Sequence, residues 1–559
     1  MKRRQVFLRL CIPSSEFYQR IRLCYTSAMK NIAIGNPSFE TLIRDNNIYV
    51  DKTDILYNLI KTAGTYVFCS RPRRFGKTLA LSTLEAIFRG KKDLFRGLKI
   101  YNTDYDWREH PVIHLDFGKI NASTPEDLEI QLNENVFAVE RQYGISFEHS
   151  RFCNTNLGRL IEELGKNRDV VVLIDEYDKI LSSNIYNPEA ERMRDVERGF
   201  FEVLKGSYDY LRFVFITGVT RFAKVSIFSS MNNLNDITLD EPYAALFGYT
   251  EEEVIRYFDE YIKKGIVAIG LCYDEYMSGL KRKYDGNRFS PDSDITVYNP
   301  VSIGLFFAKG GKNFDNYWVD TGSSKLLMDI AKEVRFDISA DTETPIRKAS
   351  ITNFDILEMS GKNISKSKYM AFLQQSGYLT IKDVLDKDGK IFRLDFPNEE
   401  VSEAYSLMLL DVYSGESTSD VFEPSELYNS FADGETEKAI AMIKSIYASL
   451  PYNLLQKRDE TDYSGMFHCM MKAAGADIHS EVETNKGRAD AVIKTKKHIY
   501  IIEFKRDKSA DDALSQINCR KYYEQFLAEK SIKIHLVGIN FLSKDRNINE
   551  WKEEIIQLY

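Results

Sequence analysis

VFCSRPRRFGKTLALSTL, residues 67–84, is the stretch on which the reading of the fold depends. The apolar run Tyr66-Val67-Phe68-Cys69 reads as a buried parallel strand, a short basic turn follows, and Gly76-Lys77-Thr78 opens a helix continued by Leu79, Leu81, Leu84 and Ile87. Backbone N–H groups at the start of such a helix collect phosphate oxygens. Arg74, Phe75, Gly76, Lys77 and Thr78 are therefore the expected nucleotide-binding residues, with Lys77 reaching the β- and γ-phosphates of ATP and the Thr78 hydroxyl ligating Mg2+. One position departs from G-x-x-x-x-G-K-[ST]: the first glycine falls on Arg71, whose side chain is expected to constrain the turn. A bare Gly-Lys-Thr is also an ordinary helix start, so the strand before it and the helix after it decide between the two.

Working outward, Val170 to Ile174 is an apolar run that ends in Asp175-Glu176-Tyr177-Asp178. Adjacent acids at the C-terminal end of a strand beside the loop strand suit an NTPase: Asp175 holds the metal through its water shell, and Glu176 polarises the attacking water. A buried strand ending in a solvated acidic turn is the plainer alternative. The run Phe213 to Thr217 is a further strand, where Thr217 is placed to sense the γ-phosphate and Arg221 to reach it in cis or in trans; a strand-end turn with a surface arginine fits equally. With a strand at 111–117 and helical sequence at 125–141, the region 65–220 predicts an α/β doubly wound parallel sheet with its ligand at the strand C-termini. The segment leading into the helix Ile55 to Ile60 is a candidate cover for the adenine side.

The chain has 559 residues, too many for one core, and at about 100–200 residues per domain it predicts three or four. No run of 18 apolar residues exists to span a membrane. The net charge of −8 argues against non-specific coating of nucleic acid but leaves room for a local basic site. Cys11, Cys24, Cys69, Cys153, Cys272, Cys469 and Cys519 form no CxxC pair, and they are expected to be reduced core residues of a cytoplasmic protein. In residues 1–28 a basic start and a short apolar stretch broken by Arg9 disfavour a signal peptide, and the segment reads as an upstream extension or a mis-called start.

From Tyr249 to about Phe307 the pattern is helical. A helix from Tyr369 to Ser376 followed by strands 378–381 and 391–395, joined by Asp386-Lys387-Asp388-Gly389, suggests a winged-helix-like module whose mixed charge favours packing over DNA binding.

The last hundred residues hold a second constellation. A strand 478–483 leads to Gly487-Arg488-Ala489-Asp490, a strand 491–493 and, after Lys496-Lys497, a strand 498–505. Alternation along that strand puts Glu503 and Lys505 on one face, and a hairpin brings Asp490 beside them. Two carboxylates bind Mg2+ through oxygen, and the lysine orients the attacking water and offsets charge on a phosphate. A helix from Asp511 to Phe526 is expected to place Gln516, Arg520 and Tyr523 on one supporting face, with a closing strand at 534–539. An exposed salt bridge on a hairpin is the bland alternative.

The segments YVDKT (49–53), RPRRFGKT (71–78), VLIDEYD (172–178) and TGVTRF (217–222) resemble the prokaryotic AAA-ATPase-like family. EVETNKGRAD (481–490), IIEFK (501–505) and ALSQI (513–517) resemble the PD-(D/E)XK nuclease superfamily. Together the resemblances imply a P-loop NTPase parallel sheet (29–248), a helical subdomain (249–330), a winged-helix-like or helical linker (331–450) and a restriction-endonuclease-like α/β domain (451–559). They imply Asp490, Glu503 and Lys505 as the nuclease positions, with Gln516 auxiliary and Glu481 a weaker candidate. The expected function is an ATP-regulated, Mg2+-dependent nuclease, its partner nucleic acid with DNA favoured over RNA, and a homo-oligomer if an arginine acts in trans. The alternative is a nucleotide-switched signalling or scaffold protein whose nuclease-like domain only binds nucleic acid or a partner.

Overall fold

The computed structural model describes residues 29–221, 227–228, 231, 233–318, 324–334, 345–352, 357, 359, 364–414, 423–449, 460–528 and 532–556. Residues 1–28, with Cys11 and Cys24, and Phe222 of the TGVTRF segment lie outside them.

The N-terminal half begins with helices α1 (Phe39–Arg44) and α2 (Thr53–Thr62), the loop strand β1 (Tyr66–Ser70) and the loop helix α3 (Lys77–Phe88). It continues through β2 (Val112–Asp116), α4 (Pro125–Tyr143), α5 (Cys153–Gly165), β3 (Val170–Asp175), α6 (Ala190–Gly206), β4 (Leu211–Gly218) and β5 (Asn235–Asp236). The five strands form one parallel sheet in the order β2-β3-β4-β1-β5. Alternate side chains of β1 enter opposite cores. Tyr66 and Phe68 join Leu128, Leu157 and Phe200 on the face of α4, α5 and α6, while Val67 and Cys69 join Leu56, Leu81 and Leu84 on the face of α2 and α3. Burial on both faces is what a continuous apolar strand, rather than an alternating one, demands. The doubly wound expectation holds, with one correction: the acidic strand β3 is not the neighbour of the loop strand, because β4 lies between them.

YVDKT is tied down by its own hydrogen bonds. Asp51 accepts from Thr53 N and Thr53 Oγ1 at 2.9 and 2.6 Å and from Lys99 N at 2.8 Å, and Lys52 pairs with Glu253, so the segment ties α2 to its surroundings.

The middle region is helical: α7 (Glu251–Ile269), α8 (Tyr273–Tyr284), α9 (Pro300–Ala308) and α10 (Ser324–Val334). A three-stranded sheet follows, β6 (Ile346–Arg347), β7 (Thr380–Val384) and β8 (Ile391–Asp395) in the order β6-β8-β7, with helix α11 (Lys366–Ser376) beside it. Residues Tyr369 to Ser376 are all buried, so this helix packs into the interior of the region.

Helices α12 (Glu399–Ser414), α13 (Pro424–Ala432), α14 (Thr436–Ser449) and α15 (Glu460–Ala473) lead into the C-terminal sheet. Its strands, β9 (Asp477–Thr484), β10 (Gly487–Lys494), β11 (His498–Arg506), β12 (Lys533–Leu542) and β13 (Asn547–Ile556), run in sequence order. All pairs are antiparallel except β11 and β12, which the crossover helix α16 (Ala510–Arg520) connects in parallel. Two expectations change here. The crossover helix stops at Arg520, where Lys521 turns left-handed (φ 51°), so Tyr523 lies past its end and off the face of Gln516 and Arg520. The last strand, β13, carries charge at four of its ten positions and lies at the sheet edge, so it forms no apolar run.

Among the described cysteines Cys69, Cys153 and Cys469 are buried, whereas Cys272 and Cys519 are exposed, contrary to an all-core reading. No helix among the described residues is long and apolar enough to cross a membrane.

Candidate functional sites

The nucleotide loop leaves β1 with its backbone still paired: Arg71 N donates to Gly218 O at 3.1 Å. Arg71 lacks the positive φ that would call for glycine, and its side chain points away from the loop. Its guanidinium, 2% exposed, donates to the carbonyls of Ser70 (2.9 Å), Thr238 (2.6 Å) and Tyr243 (3.3 Å) and lies 4.4 Å from the Phe289 ring. The tight turn is made later, at Arg74 (φ 69°) and Gly76 (φ 91°). The expected constraint from Arg71 is therefore absent.

Lys77 directly follows that turn and is buried. Its Nζ donates to the carbonyls of Arg71 at 2.9 Å and Pro72 at 3.0 Å, closing the loop on itself. Burial pulls its pKa below the usual lysine value, against the attraction of Asp175, Asp178 and Glu176. The Thr78 hydroxyl donates to Asp175 Oδ2 at 2.6 Å, bringing the two expected Mg2+ positions together across the sheet. Asp175 is pushed up by burial, and nearby Asp116, paired with it in strand register, adds repulsion. Asp116 is thus a third acid at this edge, marked in sequence only by its position at the end of β2.

Glu176 holds a left-handed backbone (φ 52°), an arrangement costly for a side chain of this size and concentrated at functional turns. Its carboxylate lies over Gly118, where any Cβ would come within 2.6 Å of Oε2. Burial raises its pKa, reinforced by Asp175. Asp178 accepts from Val219 N, Thr220 N and Thr220 Oγ1 at 3.1, 2.8 and 2.6 Å, fixing the turn after β4. Thr217 stands on that strand with the same parity as Phe213 and Phe215, which enter the core of the loop helix, and its buried hydroxyl has no partner among the described residues.

The side chains of three expected ligand residues bond or pack within the protein. The Phe75 ring packs edge-on against Phe289 at 5.2 Å and is buried, leaving only its backbone for a ligand. Arg74 donates through a guanidinium nitrogen to Tyr317 O at 3.3 Å. Arg221 is 9% exposed, pairs with Asp236, and is held through its backbone N by Gln375 Oε1 at 2.6 Å.

The second constellation is assembled where β10 and β11 part. Their register ends at Ala491–Ile502; one residue further, the Asp490 carboxylate takes over the ladder by accepting from Phe504 N at 2.7 Å. Glu503 is 1% exposed. Lys505 donates to Glu503 Oε1 and to Phe504 O, each at 2.9 Å, while Glu503 Oε2 has no partner among the described residues. Burial pushes the Glu503 carboxyl up to about 7, with Asp490 adding repulsion and Lys505 opposing it. An orphaned buried oxygen beside a second carboxylate fits a divalent cation better than a structural ion pair. Among the described residues no group of three or more His, Cys, Asp or Glu is arranged to hold a metal. The Glu481 side chain lies outside the described residues. The Gln516 amide donates to Tyr522 OH at 3.4 Å, and Arg520 donates to Lys486 O at 3.1 Å, supporting the β9–β10 turn.

Comparison with known proteins follows the same division. A family model described as a predicted AAA-ATPase matches residues 33–228, and one described as the PD-(D/E)XK nuclease superfamily matches residues 458–551. An uncharacterised protein in the vnfD 5' region of Azotobacter chroococcum mcd 1 is 34% identical over 532 residues, covering 93% of this chain and 98% of that one. Among solved structures, the Aeropyrum pernix ORC2 protein (ADPNP–ADP complexes) matches at 13% identity over 66% of this chain and 92% of its own, with a TM-score of 0.17, too low to support any inference.

Proposed function

The chain belongs to the predicted AAA-ATPase family, with a PD-(D/E)XK nuclease-superfamily domain at its C-terminal end, and from that premise we propose that it is an ATP-regulated, Mg2+-dependent nuclease acting on DNA. The observation that carries the reading is the buried Glu503, with one oxygen on Lys505, the other unpartnered among the described residues, and Asp490 beside it. Asp490 and Glu503 would hold Mg2+, which when bound supplies a Lewis acid for the scissile phosphate. Lys505, fixed by Glu503 and Phe504 O, orients the attacking water and balances charge on the phosphate.

In the N-terminal domain Lys77, Thr78 and Asp175 would hold the nucleotide and its Mg2+, Glu176 would take the proton of the attacking water, and Thr217 would sense the γ-phosphate. For the nucleotide to engage Lys77, its phosphates must displace the Arg71 and Pro72 carbonyls. That exchange, together with an Arg221 turned to Asp236, favours a slow switch over a fast motor.

The test is cleavage of plasmid, linear DNA and RNA with Mg2+, with and without ATP, by the wild type and Asp490→Ala. Metal-dependent DNA cleavage lost in Asp490→Ala supports the proposal; no cleavage of any substrate by the wild type refutes it. Tight ATP binding with a change of assembly state and no cleavage would instead favour a nucleotide-switched scaffold.

A further inference from the structure

The nucleotide loop is clasped from outside its own domain. Pro72 lies against Gly377, at the end of α11, so closely that a Cβ there would sit 2.7 Å from the proline ring; Gly377 also has φ +90°. Two residues on, Arg74 donates to Tyr317 O. The segment that receives Arg74 is itself held by one carboxylate: Glu400 accepts from Tyr317 N, from Trp318 N at 2.9 Å and from Ser302 Oγ at 2.8 Å, and it is 1% exposed. The Trp318 ring meets Tyr378 edge-on at 4.7 Å. Glu400 therefore gathers α9, the 317–318 segment and, through Tyr317, the nucleotide loop.

Glu400 is the second residue of α12, which packs along α15, the helix that covers the C-terminal sheet. Leu409 and Val412 of α12 share one continuous buried cluster with Phe467 and Met470 of α15 and with Phe504 of β11. Phe467 meets Phe504 edge-on at 5.1 Å, and Phe504 is the residue between Glu503 and Lys505. Close-packed elements of this kind shift as units rather than deform continuously.

We infer that Glu400 is the positioning residue that couples the nucleotide loop to the nuclease strand β11. The inference rests on the ATP-regulated nuclease reading. The element with two arrangements is the loop itself: Lys77 donates either to the carbonyls of Arg71 and Pro72 or to nucleotide phosphate. The second choice releases the segment that carries Pro72 and Arg74, and with it the hold on Gly377 and Tyr317. Glu400 converts that release into a displacement of α12, and α15 delivers it to Phe504.

The experiment compares the full-length wild type with Glu400→Gln, which keeps an acceptor for both backbone N–H groups. Three quantities are read: affinity for ATP, metal-dependent DNA cleavage with and without ATP, and amide hydrogen exchange across 499–506 with and without ATP. In the wild type ATP should change both cleavage and exchange by about five-fold or more, the lower end of ordinary coupling between sites. In Glu400→Gln basal cleavage, basal exchange and ATP affinity should stay within about two-fold of wild type, while the effect of ATP on both readouts falls below about two-fold. A Glu400→Gln protein that responds to ATP like the wild type overturns the coupling role. So does a wild type that binds ATP without changing exchange across 499–506. If no substrate is cleaved under any condition but the exchange response is present and Glu400-dependent, the nuclease proposal falls and the coupling stands. Should Glu400→Gln fail to fold, Ser302→Ala removes one of the three donors to Glu400 and should weaken the ATP response; an undiminished response in that variant overturns the role equally.

Discussion

Replacing Glu503 by glutamine should make the nuclease domain more stable, by an amount that grows as the pH rises from about 4.5 and is complete above about 7. The carboxyl rises from its ordinary 4.5 to about 7 because it is buried next to Asp490, a shift that corresponds to about 3 kcal/mol against the charged form. The folded protein binds this proton more tightly than the unfolded chain, so Glu503 leaves stability untouched below pH 4.5, erodes it between 4.5 and 7, and costs the full amount above. Glutamine keeps an acceptor for Lys505 Nζ and carries no charge. In EDTA, Glu503→Gln and wild type should be equal near pH 4.5, and at pH 8 the variant should be ahead by about 3 kcal/mol. Trp551 on β13 reports the transition in urea once Trp107 and Trp318 are replaced by phenylalanine. Adding Mg2+ at pH 8 should restore the wild type by about 2.7 kcal/mol at a hundred times its dissociation constant and leave Glu503→Gln unmoved. A functional site held at the expense of stability behaves this way. If Glu503→Gln is instead destabilised at pH 8 without metal by about 3–5 kcal/mol, Glu503 and Lys505 are a structural ion pair and the metal-site reasoning is wrong.

Lys77→Ala should weaken ATP binding by about 10- to 100-fold, the loss of a charge-assisted hydrogen bond to phosphate, as read by titration with a fluorescent nucleotide. Arg71→Gly, which restores the usual first glycine, should lower stability by about 3 kcal/mol or more, because the Ser70, Thr238 and Tyr243 carbonyls lose their buried donor; a thermal melt that is unchanged or improved would contradict the packing role. Gln516→Ala should change DNA cleavage less than about three-fold while Asp490→Ala abolishes it, since Gln516 bonds Tyr522 rather than the cluster; equal losses would place Gln516 in the reaction.

The nucleotide loop and the Asp490, Glu503, Lys505 cluster were legible because their chemistry is local. A strand, a turn and a helix start fix where Lys77 and Thr78 point, and a period of two fixes Glu503 and Lys505 on one face. Less local features were not. Strand order is a choice among sheet neighbours, and the sequence does not say that β4 separates β3 from β1; yet that order decides which side chains meet Asp175. Nor does an arginine in a phosphate loop announce its direction: Arg71 and Arg221 both turn to partners about 15 to 170 positions away in the chain, where buried carbonyls and Asp236 satisfy their charge. Helix ends misled as well, because Lys521 can adopt a left-handed cap that composition does not mark, and this removed Tyr523 from the supporting face. Sequence alone marked two candidate sites and the elements that carry them. Only the tertiary structure decided that the nucleotide loop ends against Gly377 and Tyr317, with Glu400 behind them, because contacts between distant segments are set by how cores close and not by the period of any one element.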